Sequence, residues 1–202
     1  MAQSSLSLPS ILVAALVVLV ALSGAFLVVD FDAATYQTSA EHTATAASAG
    51  AESLPPVNNG YLVVDAPDAI RDDLTDELVA SFQREGLSLD PIEARDSYDR
   101  AVVVVVVDEW NPRWNPVTPS GSVTWRAAFD AGGHRQHIDA GLSGDPFVFN
   151  STMGPDVAGT LDARVDVSGT GLVSRPAYRT RLIDAVSNTT AEQVTAQFEQ
   201  GR

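Results

Sequence analysis

A chain of 202 residues with 45% hydrophobic content has room for one ordinary domain plus an appendage, and enough apolar side chain to bury a core. Its 26 acidic residues face 12 basic ones, all arginine, for a net charge of −14, and those arginines are dispersed rather than gathered into a stripe, which excludes nucleic acid as a partner. The absence of cysteine removes disulfides, thiolate metal sites, cysteine nucleophiles and a lipid-bearing N-terminal cysteine.

Residues 1–10 form a short neutral tail. Ile11 to Val29, "ILVAALVVLVALSGAFLVV", follows with 19 residues and no charge. At 1.5 Å rise per residue such a segment reaches about 28 Å, the hydrocarbon thickness of a bilayer. A cleaved secretory signal is the rival reading, but signal cores are shorter and follow a basic region, whereas the first basic residue here is Arg71. The expectation is an uncleaved transmembrane helix whose partner is the lipid bilayer. The chain is then a single-pass protein of the cell membrane, its large domain outside. The positive-inside rule has no charge to count on either flank, so the orientation rests on the short tail and the distal domain. Sequons at Asn150 and Asn188 agree with export and add little, given the plentiful Ser and Thr.

Residues 30–60 are rich in Ala, Ser and Thr and poor in bulky apolar side chains, which predicts a stalk ending near Gly60. The folded domain is expected over 61–202. "YLVVD", Tyr61 to Asp65, suggests a buried strand. Pro67 suits a first helical position, Asp68, Asp72, Asp73 and Asp76 favour the positive end of a helix dipole, and Ile70, Leu74, Leu78, Val79 and Phe82 make one stripe that Gly86 ends. The valine run from Ala101 to Val107 lacks polar alternation and reads as a central strand covered on both faces. "SVTWRAAFDAGGHRQHID" reads as a hairpin turning at Gly132-Gly133. "DPFVFN" and "TLDARVDV" are further strand candidates, and Ala177 to Glu199 carries the stripe of a terminal helix with a break expected at Asn188.

The fold class that follows is α+β: an N-terminal transmembrane helix, then a β-α-β-β-β(-β)-α sandwich with a mostly antiparallel sheet and two helices on one face. "LTDELVASFQREG" followed by "SYDRAVVVVVV" and a hairpin resembles, in layout, the small periplasmic domains of envelope transporter auxiliary lipoproteins. That resemblance spans Asp65 to Asp130, departs from the family at the missing lipid-bearing cysteine, and implies a non-enzymatic assembly or docking part. The composition as a whole, with Asp exceeding Glu and no lysine, resembles that of proteins from extremely halophilic archaea, which implies an acidic surface adapted to molar salt.

Motifs for chemistry fail on spacing. His134 and His137 in "GGHRQHID" would share a face on a helix, but on a hairpin strand an odd spacing sends them to opposite sides, and neither Asp130 nor Asp139 repairs that. No metal site and no cofactor are therefore expected. "VDVSGTGLVS", Val165 to Ser174, imitates a dinucleotide loop but has Ser174 in place of the third glycine and no strand to complete a βαβ unit. Asp108 and Glu109 emerge from a buried strand where enzymes place acids, yet adjacent strand residues diverge, so no catalytic residue is assigned.

"WNPRWNPVTP" is the best binding candidate, through Trp110, Arg113 and Trp114. Its prolines make it stiff, and exposed aromatics on a stiff loop suit recognition. The competing reading, favoured by how often tryptophan is buried, has both indoles folded back over the end of the valine strand with Arg113 stacked on one of them. The function expected is a membrane-tethered, non-catalytic ectodomain that docks an envelope protein partner. The alternatives are a small membrane-anchored hydrolase with an acidic site near Asp108, or a pilus-apparatus component, which lacks the basic processing site such subunits need.

Overall fold

The valine run lies inside the sheet. In the computed structural model, which describes residues 24, 26–49, 57–95, 97–149 and 156–200, the elements are β1 (Asp32–Ala49), β2 (Asn59–Asp65), α1 (Asp68–Arg84), β3 (Ser88–Pro91), β4 (Ala101–Arg113), β5 (Ser120–Asp130), α2 (Arg135–Ser143), β6 (Asp156–Val173) and α3 (Arg175–Gln200). The strands form one six-stranded sheet in the order β1-β6-β5-β4-β2-β3. The β1–β6, β6–β5 and β5–β4 pairs are antiparallel and the β4–β2 and β2–β3 pairs parallel, so the fold is mixed α+β with a mostly antiparallel sheet.

Both faces of β4 are covered, as an unalternating valine run requires. On one face Val103 and Val105 join Leu62, Val123, Trp125, Ala127, Phe129, Leu161 and Val165 in the main core, closed by Ile70, Leu74, Leu78 and Phe82 of α1 and by Leu182, Val186, Val194 and Phe198 of α3. On the other face Val102 and Val104 pack with Val63, Ala128 and Ile138 of α2. Two helices thus share one face as expected, and a third, unexpected helix covers part of the other. The helix stripe of α1 is the one read from sequence, except that Pro67 caps the helix from outside its first turn, its carbonyl accepting from the Ile70 and Arg71 amides at 2.9 and 3.1 Å. Gly86, at φ +86°, follows the C-terminal end of the helix. The α3 helix runs unbroken through Asn188, whose side-chain oxygen accepts from Ser81 Oγ at 3.2 Å and from Arg84 Nη1 at 3.0 Å and so ties α3 to α1.

Three further expectations are corrected. Most of the expected stalk is strand: Asp32–Ala49 is the long edge strand of the sheet, in unbroken antiparallel register with Asp156–Val173, while residues 50–56 lie outside the described residues. Its small residues fit because one edge and most of both faces meet solvent, while Ala34, Tyr36 and Ala44 rest on the core. The domain therefore begins at β1. "GGHRQHID" is not a return strand but the start of α2, and "DPFVFN" up to Phe149 is an irregular loop, Asn150 lying outside the described residues. The transmembrane expectation falls on residues 11–29, of which 11–23 and 25 lie outside the described residues. Among the described residues no helix is long and apolar enough to cross a membrane.

Candidate functional site

A β-bulge decides what the tryptophans do. Pairing of β4 with β5 runs Val107↔Trp125 and then Glu109↔Thr124, so Asp108 is an extra residue that shifts the alternation by one. Beyond it Trp110 and Pro112 take the core side that Glu109 and Asn111 would otherwise occupy. Trp110 and Trp114 are half-buried and pack against the main core, and the Trp114 indole N–H donates to the Val173 carbonyl at 3.3 Å. "WNPR" is strand, not loop; the loop starts at Trp114. Trp110, Pro112 and Trp114 form one wall of a cleft of about 590 Å³ that Ile70 of α1 and Tyr178 and Arg179 of α3 complete. Arg113 turns to the opposite face, beside Asn111, Arg164 and Asp166. The three predicted binding residues are thus divided between two surfaces, and Arg113 has no place over either indole.

Asp108, exposed by the bulge, accepts two hydrogen bonds from Arg126, from Nε at 2.9 Å and from Nη2 at 2.8 Å. Such a bidentate pair immobilises the carboxylate. Glu109 is exposed, and neither acid belongs to a cluster with His134 or His137. The glycines of Val165 to Ser174 lie inside β6, facing Tyr36 and Ala34 of β1, so no dinucleotide loop exists there.

The histidines behave differently. Asp130 is the last residue of β5, His134 caps α2, His137 lies in the first turn of α2, and Asp156 opens β6. On a helix a spacing of three does share a face, and one donor atom from each of these four side chains lies within 4.8 Å of all the others. His134 Nδ1 is 2.8 Å from Asp156 Oδ2, and His137 Nδ1 is 2.5 Å from Asp130 Oδ2 and 3.3 Å from Asp156 Oδ2. The Oδ1 of each carboxylate is held by main chain: that of Asp130 by the His134 amide at 2.6 Å, that of Asp156 by the Gly132 and Val157 amides at 2.9 and 2.8 Å. Asp130, His137 and Asp156 are buried, while the His134 side chain is 31% exposed. Phe149 packs its ring 4.7 Å from that of His137.

Two glycines make this geometry possible. A Cβ on Gly132 would lie 2.3 Å from the His134 ring, and Gly133, at φ +76°, would drive one to 2.5 Å from the Arg100 carbonyl oxygen. Burial drives the Asp130 carboxyl upward from its ordinary pKa, and the nearby Asp156 adds to this against the pull of the His134 amide and His137. Burial works against a charged His137, but hydrogen bonds to Asp130 and to the Val148 carbonyl, with the charge of both aspartates, outweigh it and leave the imidazole above its usual value.

The expectation that the histidines diverge is therefore corrected, because it assigned them to a strand. Asp130 does complete the constellation, while Asp139 turns outward to Arg135 at 2.8 Å. Asp156 carried no sequence signal, being brought in from 22 residues beyond His134 by the antiparallel pairing of β6 with β5.

No protein-family model matches the chain, and no curated protein matches it in sequence. Solved structures similar to it include a minor lipoprotein from Acinetobacter baumannii, 16% identical over 69% of this chain and 94% of that one, with a TM-score of 0.37. A PelC dodecamer from Paraburkholderia phytofirmans is 14% identical over 71% of this chain and 96% of its own, with a TM-score of 0.33. A point variant of the same PelC covers 75% of this chain and 98% of its own at 14% identity, with a TM-score of 0.34.

Proposed function

We propose that this protein is a membrane-tethered, non-catalytic ectodomain that serves as an accessory or docking component of the cell envelope. The observation that carries the reading is that, apart from Val148 in the loop beside His137, the large exposed apolar side chains of the described residues gather at one end of the sheet. Leu27, Val28, Val29, Val117 and Leu172 are between 49% and 79% exposed, and main-chain bonds hold the segments that bear them together. The Gly171 amide donates to Val117 O at 2.9 Å, the Val173 amide to Pro116 O at 3.0 Å and the Ser174 amide to Phe31 O at 3.0 Å. This is the end of the sheet at which the uncharged segment over 11–29 joins β1, so a bilayer holding that segment also covers the exposed patch. Half-buried Trp110 and Trp114 line the cleft that Leu27 borders, and tryptophan favours the interface between hydrocarbon and water. The pairing of Asp108 with Arg126, away from His134 and His137, supports a role without catalysis.

The test is fractionation of cells that express the full chain. It is expected in carbonate-washed membranes, to lose its domain to protease added to intact cells, and to become soluble once residues 1–29 are deleted. Recovery of the full chain in the soluble fraction would overturn the tether; protection of the domain until lysis would overturn its orientation.

A further inference from the structure

We propose that Asp130, His134, His137 and Asp156 form a structural divalent-cation site of the zinc type. His137 Nε2 lies 3.2 Å from the Val148 carbonyl, a group that only accepts, so that nitrogen carries a proton. Nδ1 is the ring nitrogen that faces the cluster, 2.5 Å from Asp130 Oδ2. A proton shared between the two atoms accounts for a contact that short, and a bound divalent cation would displace it, as metal binding releases protons from its ligands. A ring nitrogen fixed by a carbonyl on its far side is also how metal-bound imidazoles are held.

The rest of the cluster fits the same occupant. Asp156 commits Oδ1 to main-chain amides and turns Oδ2 to both imidazoles, while Asp130 turns Oδ2 to His137 and its Oδ1 takes the His134 amide and lies 3.2 Å from His134 Nδ1; each side chain thus offers one donor to a common centre, two nitrogens and two oxygens in all. Two carboxylates and two neutral imidazoles around one divalent ion sum to zero charge, the condition for burying them. Calcium and magnesium take six or more oxygens, whereas two imidazoles with two carboxylates in a small shell suit tetrahedral zinc. Ligands about 2.0–2.2 Å from zinc sit roughly 3.3–3.6 Å apart in a tetrahedron. The His–Asp spacings of 2.5 to 3.3 Å need to open by up to about 1 Å, all four donors already lie within 4.8 Å of one another, and His134, the one partly exposed member, marks the ion's way in. With four protein donors no coordination position is left for substrate, so the ion's work is to fasten α2 to the ends of β5 and β6.

The full chain, stripped with chelator and returned to molar sodium chloride to suppress loose binding to its acidic surface, is titrated with zinc, and separately with cobalt(II). One equivalent of zinc should bind and raise the melting temperature, and cobalt(II) should develop the intense visible bands of a tetrahedral site. His134→Gln removes a ligand at the half-exposed position. Its far-UV dichroism and metal-free melting temperature should match the parent, while affinity falls at least about 100-fold, since loss of outer partners alone costs 10- to 100-fold. His137→Ala should also abolish binding, but its buried position can disturb folding, so the half-exposed variant decides. Failure of the folded parent to bind one equivalent, or zinc affinity unchanged in His134→Gln, would overturn the proposal and leave the cluster as a buried ion-pair network.

Discussion

Trp125 and Trp114 place the same side chain in two different physical situations. Trp125 is fully buried, and its indole N–H donates to Thr190 Oγ1 at 2.9 Å, while that hydroxyl donates to Val186 O at 2.7 Å. Replacing Trp125 by alanine empties the space between β5 and α3 and should cost about 3–5 kcal/mol in chemical denaturation. Trp114 is half-buried with a longer bond, so Trp114→Ala should cost about half as much, roughly 2 kcal/mol; a loss within the range of about 0.5 kcal/mol typical of surface positions would mean that its indole contributes no packing. Asp184 on α3 supplies a test in pH. Burial raises its pKa, and the nearby Glu77 carboxylate raises it further, against Arg181 and Arg84. The folded chain then holds this proton more tightly than the unfolded one, so its contribution to stability is present at pH values below the ordinary aspartate pKa and is lost as the pH rises through the raised value. Asp184→Asn should therefore melt slightly higher than the parent at pH 7, by no more than about 0.5 kcal/mol, with the advantage vanishing in acid. A lower melting temperature at pH 7 would contradict the assignment.

Among the elements, β1 is the one whose removal says most. It supplies the ladder partner of β6 on its outer side, and Tyr36 is fixed there by a bond from its hydroxyl to Asp32 at 3.1 Å and by Arg181 of α3, 5.0 Å above its ring. A chain of residues 60–202 would expose the whole outer edge of β6 and uncover the core beneath Ala34, Tyr36 and Ala44, and unpaired strand edges associate. Residues 30–202 should melt cooperatively and 60–202 should aggregate or lose its transition; equal cooperativity in the two would show β1 to be dispensable. The turn before α2 is equally constrained. Gly133→Ala adds a left-handed strain of about 1–2 kcal/mol to its collision with the Arg100 and Tyr98 carbonyls, so a loss of about 2 kcal/mol or more is expected in a denaturation curve.

At the scale of the whole molecule, the strongest influence is a charge of −14 carried without a single lysine. Asp68, Asp72, Asp73 and Asp76 are all exposed along α1, and of these Asp68 pairs with Arg71 and Asp73 with Arg179. Self-repulsion on this scale should make stability climb with salt, because the screening length falls from about 10 Å at 0.1 M to about 3 Å at 1 M. Residues 30–202 should melt higher in molar than in dilute sodium chloride, and a melting temperature independent of salt would remove the case for adaptation to brine. Local periodicity made part of this molecule legible from its residues: the α1 stripe, the doubly covered valine strand and the α3 stripe are each readable because a helix or a buried strand repeats its burial every few residues. Strand β1 was not legible in that way, since its Ala, Ser and Thr carry no burial pattern and its strand geometry comes from main-chain pairing with residues more than a hundred positions away. The histidine–aspartate cluster likewise needed the folded chain. Whether His134 and His137 converge depends on helix or strand, which nine residues after a Gly-Gly turn do not specify, and Asp130 meets Asp156 only because β5 and β6 are neighbours in the sheet.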